Sequence, residues 1–437
     1  MTAGEFLAEA TELAAALPAR AHLLNVCADR YHFAVGLAAS LLARKVSLLP
    51  STLTAETIQR LVELAPDVFC LTDDPRCSIE LTQVRYPDAR APRAPLWPAA
   101  AIEAASLAAQ VFTSGSTGRP LPHRKTWGRL VASVRAAAQQ LGLLDGRHYT
   151  IVATVPPQHM YGLESSVLLP LLSGNALFAG RPFYPVDVCE ALAAVPRPRV
   201  LVSTPIHLRA LLAAEIRLPA TDIIVSATAA LPQEIAADVE QRFDTRLLEI
   251  YGSTETGQLA LRRTAHTPVW QLWPQVRLVN RDGQTWAQDG HVEQPTLLHD
   301  VIEIQPGGCF LLHGRFTDLV NIAGKRSSLA YLDHQLNSIP GVLDGAFFDL
   351  QEGPASSTGV ARVAAIVAAP GLSAAALLEE LRLRIDPVFL PRPLLLVERL
   401  PRNSTGKLPL EELRSLAATH LKPSFTAHLK TSFNNEA

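Results

Sequence analysis

The chain is poor in cysteine, and its few cysteines are not spaced as a metal or disulfide site. No two of them form a CxxC pair, and their number is odd. Structural zinc sites and disulfide frameworks need closely spaced or paired cysteines. We therefore expect free thiols in a reducing compartment. The five cysteines are Cys27, Cys70, Cys77, Cys189 and Cys309.

Dense basic blocks and long apolar runs are also missing. The formal net charge is −2, whereas binding to nucleic acid phosphates needs a basic surface. No segment approaches the ~20 consecutive apolar residues that cross a bilayer. The N-terminus has no basic region before an apolar run, so it does not read as an export signal. These absences predict a cytoplasmic protein with neither nucleic acid nor membrane as partner.

Short apolar runs alternate with helical patterns along most of the chain. This alternation is typical of βαβ units and a largely parallel sheet covered by helices. From about residue 265 to 305 the runs shorten and polar turns appear, which predicts an antiparallel region. Predicted strands occupy residues 23–27, 46–49, 68–71, 151–155, 200–203, 222–226 and 247–250.

The loop TSGSTG at residues 113–118 combines glycines with hydroxyl side chains. Glycine permits close approach of a ligand, and hydroxyls with backbone N–H groups can hold phosphate oxygens. It is not a Walker loop, because Gly-Lys-Ser/Thr is missing, and this excludes a P-loop kinase. Taken alone, such a loop is also typical of an ordinary turn. Its residues are Thr113, Ser114, Gly115, Ser116, Thr117 and Gly118.

Three further polar motifs follow in the chain. YGSTE at residues 251–255 comes directly after a predicted strand, where α/β sheets bind ligands, and Glu255 has the oxygen donors that Mg²⁺ prefers. HGRFTD occupies residues 313–318, and PRNSTGK at 401–407 exposes Lys407. Each motif singly also fits a solvated turn.

In their joint order, these motifs resemble those of the adenylate-forming superfamily, which includes acyl- and aryl-CoA synthetases, peptide-synthetase adenylation domains and luciferases. TSGSTG resembles its phosphate loop, YGSTE its Tyr-Gly-x-Thr-Glu motif and PRNSTGK its C-terminal loop with the catalytic lysine. His159, within PPQHMYG, stands at the histidine motif, and Asp300 at the ribose-binding aspartate.

The resemblance implies an α/β fold in two domains. A large N-terminal domain of βαβ-type sheets plus a β-rich subdomain would occupy residues 1–317, and a small mobile α+β domain residues 318–437. Asp318 stands at the hinge position of the family. Rotation there would withdraw Lys407 after adenylation and admit a thiol.

The resemblance also implies roles for individual residues. Lys407, Glu255 and Thr254 would be catalytic, with Glu255 holding Mg²⁺ and Asp300 the ribose. Tyr161 and His207 are candidates for binding the acid substrate, but for both we expect more strongly a role in the wall of the acid pocket or in the core. The nucleotide-binding residues would be Thr113, Ser114, Gly115, Ser116, Thr117, Gly118, Ser226, Ala227, Thr228, Tyr251, Gly252, Ser253, Asp300 and Arg315. The substrate-binding residues would be His159, Tyr161, Gly162 and His207.

The implied reaction is the ATP- and Mg²⁺-dependent activation of a carboxylic acid, then transfer to the phosphopantetheine thiol of an acyl carrier protein or to CoA. The N-terminal segments at residues 25–31 and 48–50 resemble the small AMP-ligases of arylpolyene and xanthomonadin pigment synthesis. That narrower likeness implies an aryl acid such as a hydroxybenzoate. A fatty-acyl ligase and a non-catalytic nucleotide-binding protein of the same fold remain alternatives.

The sequence departs from the family pattern at two places. The usual Pro-Lys-Gly after the phosphate loop is Pro120-Leu121-Pro122, and a lysine comes only at Lys125. Whether Lys125 contacts phosphate is left open. The usual Gly-Gly before the acid pocket is Ala227-Thr228.

Overall fold

The chain divides into two compact units, Met1–Leu298 with Ile304–Leu311, and His299–Glu303 with Leu312–Ala437. Residues 88–98, the predicted hinge Asp318 and Lys407 lie outside the described residues, and the predicted boundary at 318 stays a prediction. The computed structural model describes residues 1–87, 101–114, 120–214, 216–315, 319–322, 325–349, 363–402, 408, 412–413 and 415–416.

The first sheet has six strands in the order β4-β3-β1-β2-β5-β6. All neighbours are parallel except the antiparallel hairpin β5–β6. The three N-terminal strands predicted from sequence are confirmed, but β4, β5 and β6 were not predicted. The polar β4 and the prolines and charges of β6 lack the β-branched, apolar character of a typical strand, and β5 runs directly into the phosphate loop. The strands are β1 His22–Asn25, β2 Val46–Leu49, β3 Phe69–Thr72, β4 Thr82–Arg85, β5 Leu107–Ser114 and β6 Pro120–Thr126.

The second sheet begins with five parallel strands in the order β8-β7-β9-β10-β11, and β12 and β13 follow antiparallel. Successive residues face opposite layers: Val200 and Val202 belong to one apolar cluster, and Leu201 to another. Strands buried on both faces read as apolar runs, which is why the sequence revealed β7, β9, β10 and β11, whereas β8, β12 and β13 were not predicted as strands. The seven strands are β7 Thr150–Ala153, β8 Ala176–Leu177, β9 Arg199–Ser203, β10 Ile223–Ser226, β11 Arg246–Ser253, β12 Gly257–Arg262 and β13 Trp270–Leu272.

The first three helices of the first unit start at side-chain caps, Thr2, Asp29 and Thr54. The first begins with a capping box, in which the Glu5 N–H donates to Thr2 Oγ1 and the Thr2 N–H to Glu5 Oε2, satisfying two helix-end donors. None of the helices in the described ranges is long and apolar enough to cross a membrane. They are α1 Ala3–Ala16, α2 Arg30–Leu42, α3 Ala55–Leu64, α4 Trp127–Leu141, α5 Met160–Gly162, a π-helix Leu163–Leu168, α6 Leu169–Ser173, α7 Pro185–Ala193, α8 Pro205–Ala213 and α9 Gln233–Phe243.

The antiparallel region predicted near residues 265–305 is confirmed. A three-stranded sheet contains β14 Arg277–Arg281, β15 Gln284–Gln288 and β16 Thr296–Leu297. The second sheet then continues beyond β13 with β18 Cys309–Arg315 and β17 Asp300–Gln305.

The second unit has its own core. Leu332, Leu336, Leu377 and Leu381 are fully buried in one apolar cluster, and Phe348 and Ile366 belong to another. The predicted α+β character of this part is confirmed. Its elements are β19 Leu319–Ile322, β20 Lys325–Ser328, α10 Leu329–Asn337, β21 Asp344–Asp349, β22 Val363–Ala368, α11 Ala374–Arg382, a 3₁₀ turn Pro387–Phe389 and β23 Leu394–Leu396.

A buried arginine fastens the helix layer of the first sheet to the end of β7. Arg30, at the start of α2, is only 1% exposed. Its Nη2 donates to the carbonyls of Ala153 at 3.0 Å and Val155 at 2.9 Å, and its Nη1 donates to Ser166 Oγ. These carbonyls lie where β7 ends, and buried carbonyls without donors are costly.

We expect Arg30→Met to lower the free energy of unfolding by about 2–5 kcal/mol, because it leaves buried acceptors without a donor. Arg60→Met is the matched control: Arg60 lies on the exposed surface of α3 and pairs with Glu56. Loss of such a surface pair should change stability by less than about 1 kcal/mol. Urea unfolding measures both, and equal effects would contradict the anchoring role of Arg30.

Candidate functional site

The YGSTE motif occupies the end of β11 and the turn into β12. Between Tyr251 and Gly252 the ladder contains a bulge, and a Cβ at Gly252 would lie 2.2 Å from the carbonyl oxygen of Gly257. Only glycine permits this approach. The Ser253 N–H donates to Thr256 Oγ1, and the Thr256 N–H donates to Ser253 Oγ, both at 3.2 Å. Thr256 was not predicted, although its hydroxyl helps to close the turn.

Tyr251 is half-buried in an aromatic cluster. Its ring centroid lies 5.6 Å from that of Trp270 and 5.4 Å from that of Phe310. Such packing fixes the ring before any ligand binds. Thr254, in the turn beyond it, is also half-buried.

Glu255 presents a partly exposed carboxylate. Its side chain is 39% exposed. Burial acts to raise the pKa of Glu255, but hydrogen bonds from its own backbone and Ser253, with the positive potential of His123 and Lys125, hold the pKa below its usual value. The group is therefore anionic at neutral pH.

One histidine lies between Thr113, the first residue of the phosphate loop, and Glu255. Nε2 of His123, on β6, lies 2.9 Å from Oγ1 of Thr113 and 3.4 Å from Oε1 of Glu255. Burial lowers the pKa of His123, partly offset by Glu255. Two motifs far apart in the sequence thus meet at one imidazole. His123 was not predicted, since a single histidine on an unrecognised strand gives no sequence signal.

Several predicted residues lie outside the described part of the chain or in the second unit. Asp300 begins β17 in the second unit, and only the main chain of Ser114 and Arg315 is described. The roles of all these residues stay predictions. Outside the described residues are Gly115, Ser116, Thr117, Gly118, Asp318 and Lys407.

The segment after β10 contains a strained residue and a buried hydroxyl. Ser226 is fully buried, and its Oγ has no hydrogen-bond partner within the described ranges of the chain. Ala227 is also buried. Thr228 has φ of +83°, a conformation that β-branched residues rarely adopt. The predicted nucleotide segment therefore contains one unsatisfied buried donor and one residue in a glycine-like conformation.

The histidine motif forms a tight turn into the helix α5. His159 is the residue just before the helix. A Cβ at Gly162 would lie 1.9 Å from the Pro156 carbonyl oxygen, so glycine is required there. The Tyr161 hydroxyl lies 3.0 Å from the Val225 carbonyl and 3.2 Å from the Ser203 carbonyl. The Tyr161 hydroxyl thus donates to main-chain carbonyls, which is compatible with a position in the wall of the acid pocket.

His207 belongs to a small polar cluster at the ends of β7 and β9. Its Nδ1 lies 2.8 Å from Thr204 Oγ1 and 3.4 Å from Thr154 Oγ1. Phe183 packs edge-on against the imidazole at 5.3 Å between ring centroids. Burial lowers the pKa of His207, so it is a neutral imidazole at pH 7.

A buried charged cluster lies directly behind the YGSTE turn, and it was not predicted. Lys125 is 4% exposed, and its Nζ donates to the carbonyl oxygen of Glu255 at 2.8 Å. Glu164 is 1% exposed and accepts a hydrogen bond from Ser133 Oγ at 2.6 Å. These side chains and His291 line a cavity of about 10 Å³, close to the space that one water molecule needs.

Burial displaces the pKa values in this cluster so that each charged form is disfavoured: the pKa of the acid rises and the pKa values of the bases fall. Burial raises the pKa of Glu164 to about 7. Burial, with the charges of Lys125 and Arg129, lowers the pKa of His291 to about 4. Burial also lowers the pKa of Lys125, with Glu164 the largest opposing charge. Glu164 could have been noticed as a lone charge in the apolar run LESSVLLPLL, whereas His291 gives no such signal.

The residues present fit magnesium delivered with a nucleotide better than a resident metal. Among the described residues, no group of three His, Cys, Asp or Glu side chains could hold a metal. One carboxylate, Glu255, is accessible beside the end of the phosphate loop. Mg²⁺ commonly takes one or two carboxylates and completes its shell with phosphates and water.

Comparison with known proteins places these motifs in context. A family described as AMP-binding enzyme matches residues 2–292. The 4-coumarate--CoA ligase of Rhodobacter capsulatus is 30% identical over 235 residues, which cover 53% of this chain and 57% of that protein. The 4-chlorobenzoate--CoA ligase of Arthrobacter sp is 25% identical over 355 residues, covering 71% of this chain and 66% of that protein. The match thus spans just over half of the first relative's length.

A solved structure has the same fold. The crystal structure of ATP-bound MatB from Rhodopseudomonas palustris gives a TM-score of 0.79 at 20% identity, covering 94% of this chain and 92% of that one. This likeness shows the fold, so the predicted α/β adenylate-forming fold is confirmed.

We expect Glu164→Gln and His291→Gln to change the pH dependence of stability in opposite directions. Folded His291 loses its proton near pH 4 instead of the ordinary 6.5, so the unfolded chain binds more protons between these values. Its contribution to stability therefore rises with pH over that window. Folded Glu164 keeps its proton up to about pH 7 instead of 4.5, so its contribution falls as pH rises over that window.

Urea unfolding of both variants and the parent from pH 4.5 to 7 tests this expectation. Relative to the parent, the stability of Glu164→Gln should improve as pH rises, and that of His291→Gln should worsen. The charges facing the two groups, Lys125, Arg129 and Glu293, are common to all three proteins. Slopes of the same sign in both variants would contradict the assignment.

Proposed function

This chain belongs to the AMP-binding enzyme family, and on that premise we propose that it activates an aryl carboxylic acid with ATP and transfers the acyl group to a thiol. The acyl-adenylate is the intermediate. The acceptor is CoA or the phosphopantetheine of an acyl carrier protein. The free cysteines and these substrates fit a cytoplasmic location.

The observation that carries the proposal is the meeting of two motifs at His123. Thr113 is the first residue of the phosphate loop and lies on β5, whereas Glu255 lies in the turn after β11. Both side chains nevertheless lie within 3.4 Å of one imidazole nitrogen. A triphosphate held by the loop would therefore lie beside an anionic carboxylate. That arrangement is what a magnesium–nucleotide complex needs.

In the first half-reaction, a carboxylate oxygen of the acid bonds to the α-phosphorus, and the bond to the β-phosphate oxygen breaks to release pyrophosphate. Two anions must approach, and charge grows on the leaving group. Lys407 would bridge the acid carboxylate and the α-phosphate. Thr254 would contact the α-phosphate, and Asp300 would bind the ribose hydroxyls.

Glu255 would hold Mg²⁺, which offsets phosphate charge as a Lewis acid when it is bound. Ser226 fits a role beside the nucleotide because its buried hydroxyl has no partner among the residues that the structure describes. A buried donor without a partner is costly, and a ligand atom would satisfy it.

In the second half-reaction, the thiol sulfur bonds to the acyl carbon, AMP leaves and the thiol proton passes to solvent. Lys407 is then not needed at the phosphate. Rotation at Asp318 of the C-terminal part, from residue 318 onward, would remove it and admit the thiol.

Two observations support an aryl acid. The relatives named above are ligases of 4-coumarate and 4-chlorobenzoate, both aromatic acids. In this chain, Tyr161 and the neutral His207 with Phe183 supply flat or aromatic side chains at the ends of β9 and β10. We propose a hydroxybenzoate-like substrate and a place beside the pigment-pathway AMP-ligases.

Acid-dependent ATP–pyrophosphate exchange over benzoates, hydroxybenzoates, cinnamates and fatty acids tests the function. We expect exchange with at least one aryl acid, and thioester formation with CoA or with a phosphopantetheinylated carrier protein. No exchange with any acid would overturn the enzymatic proposal. Exchange with fatty acids alone would overturn the aryl assignment.

Lys407→Ala should lower the exchange rate by roughly 10²- to 10³-fold, because one preorganised charge at the transition state is lost. Affinity for ATP should change little. Lys430→Ala is the control, since it removes a lysine of the C-terminal tail that belongs to no motif. An unaltered rate in Lys407→Ala would show that another cation does this work.

A further inference from the structure

We propose that Lys125 is a positioning residue that fixes the main chain of Glu255 and so places the carboxylate that receives magnesium with ATP. The proposal rests on the function proposed above, because it takes Glu255 as the magnesium-binding residue. Its basis is the hydrogen bond of 2.8 Å from Lys125 Nζ to the Glu255 carbonyl oxygen.

Lys125 does not have the setting of a phosphate-binding lysine. It is only 4% exposed, and its ammonium donates to the main chain instead of being held in solvent. A lysine that meets an incoming triphosphate needs an accessible ammonium, since at least one of its N–H donors must reach a phosphate oxygen. The geometry thus gives this side chain a role inside the protein.

The charge of Lys125 is itself compensated by nearby carboxylates. A buried ammonium is costly unless charges and acceptors compensate it. Glu164 supplies the largest opposing charge, followed by Glu293 and Glu255. Glu293 accepts hydrogen bonds from the N–H and hydroxyl of Thr126 at 2.6 and 2.8 Å, and Ser133 donates to Glu164. Lys125 therefore faces carboxylates that are themselves held by hydrogen bonds.

Glu164 also packs directly against the turn that contains Glu255. A Cβ at Gly257 would lie 3.0 Å from Glu164 Oε1, and Gly257 has φ of +75°. The turn is thus restrained at its end by Glu164 and at its centre by Lys125. A magnesium site with one protein carboxylate depends strongly on where that carboxylate lies, because errors near 0.5 Å already weaken a constructed site.

The test compares the affinity of Lys125→Met for ATP with Mg²⁺ and for ATP in EDTA, by isothermal titration calorimetry. Loss of a residue that orients a metal ligand typically weakens metal affinity 10- to 100-fold. We expect affinity for MgATP to fall about tenfold, with ATP in EDTA bound within about twofold of the parent. Parent-like affinity for MgATP would overturn the proposal.

Lys45→Met is the matched control. Lys45 is also buried, and its Nζ donates to the carbonyls of Pro18 at 2.7 Å and Arg20 at 2.6 Å, next to the first sheet and in none of the motifs. It removes the same kind of buried ammonium and should leave both affinities unchanged. A loss specific to MgATP in this variant too would show a general effect of destabilisation, and would overturn the proposal.

Glu164→Gln is the second variant, and it decides the matter if Lys125→Met does not fold. It keeps the side-chain volume and the acceptor for Ser133. Above the Glu164 pKa of about 7 it also removes the negative charge that faces Lys125, so these titrations are run at about pH 8. The loss should again be confined to MgATP, and smaller; unchanged binding would overturn the proposal. If the parent shows no acid-dependent exchange while the variants lose MgATP selectively, the acid-activation proposal fails and Lys125 keeps its role.

Discussion

A buried ammonium joins three segments that are distant in the sequence. Lys125 belongs to the hairpin that continues the phosphate-loop strand, donates to the turn of the YGSTE motif, and lies beside Glu164 of the helix that follows the histidine motif. Burying a charge is costly, and this cost is met only when all three segments are in place. The relative positions of the motifs in the first unit therefore depend on this contact.

Arg30 likewise donates to buried main-chain carbonyls, at the end of β7. Where β7 ends, the carbonyls of Ala153 and Val155 leave the ladder and need donors inside the protein, and the guanidinium supplies them. Lys125 does the same beyond β11. The carboxyl ends of parallel strands carry the ligand site of an α/β sheet, and the same ends present carbonyls that need donors. Two buried cations, Arg30 and Lys125, therefore fix the main chain at this edge of the sheet by donating to its carbonyls.

The sequence revealed those features that short segments encode. Strands such as β9 and β10 are buried on both faces and so read as apolar runs, and Glu255 lies within a recognisable motif. The hairpin β5–β6 was missed because β5 runs into the phosphate loop and β6 contains prolines and charges. His123 and His291 were missed because each is a single residue whose partners are remote in the chain. Contacts of that kind arise only when the sheets assemble.

The departure from the family pattern at Ala227-Thr228 has a physical interpretation. Thr228 has φ of +83°, which glycine adopts freely and a β-branched residue adopts at a cost of roughly 1–3 kcal/mol. The strained conformation persists because the surrounding fold determines the path of the chain after β10. Threonine therefore adopts a conformation that suits glycine and adds a side chain to the loop. This side chain is close in sequence to Ser226, whose buried hydroxyl has no partner among the described residues. The departure from the family pattern is thus a local strain in the segment that the resemblance assigns to nucleotide binding.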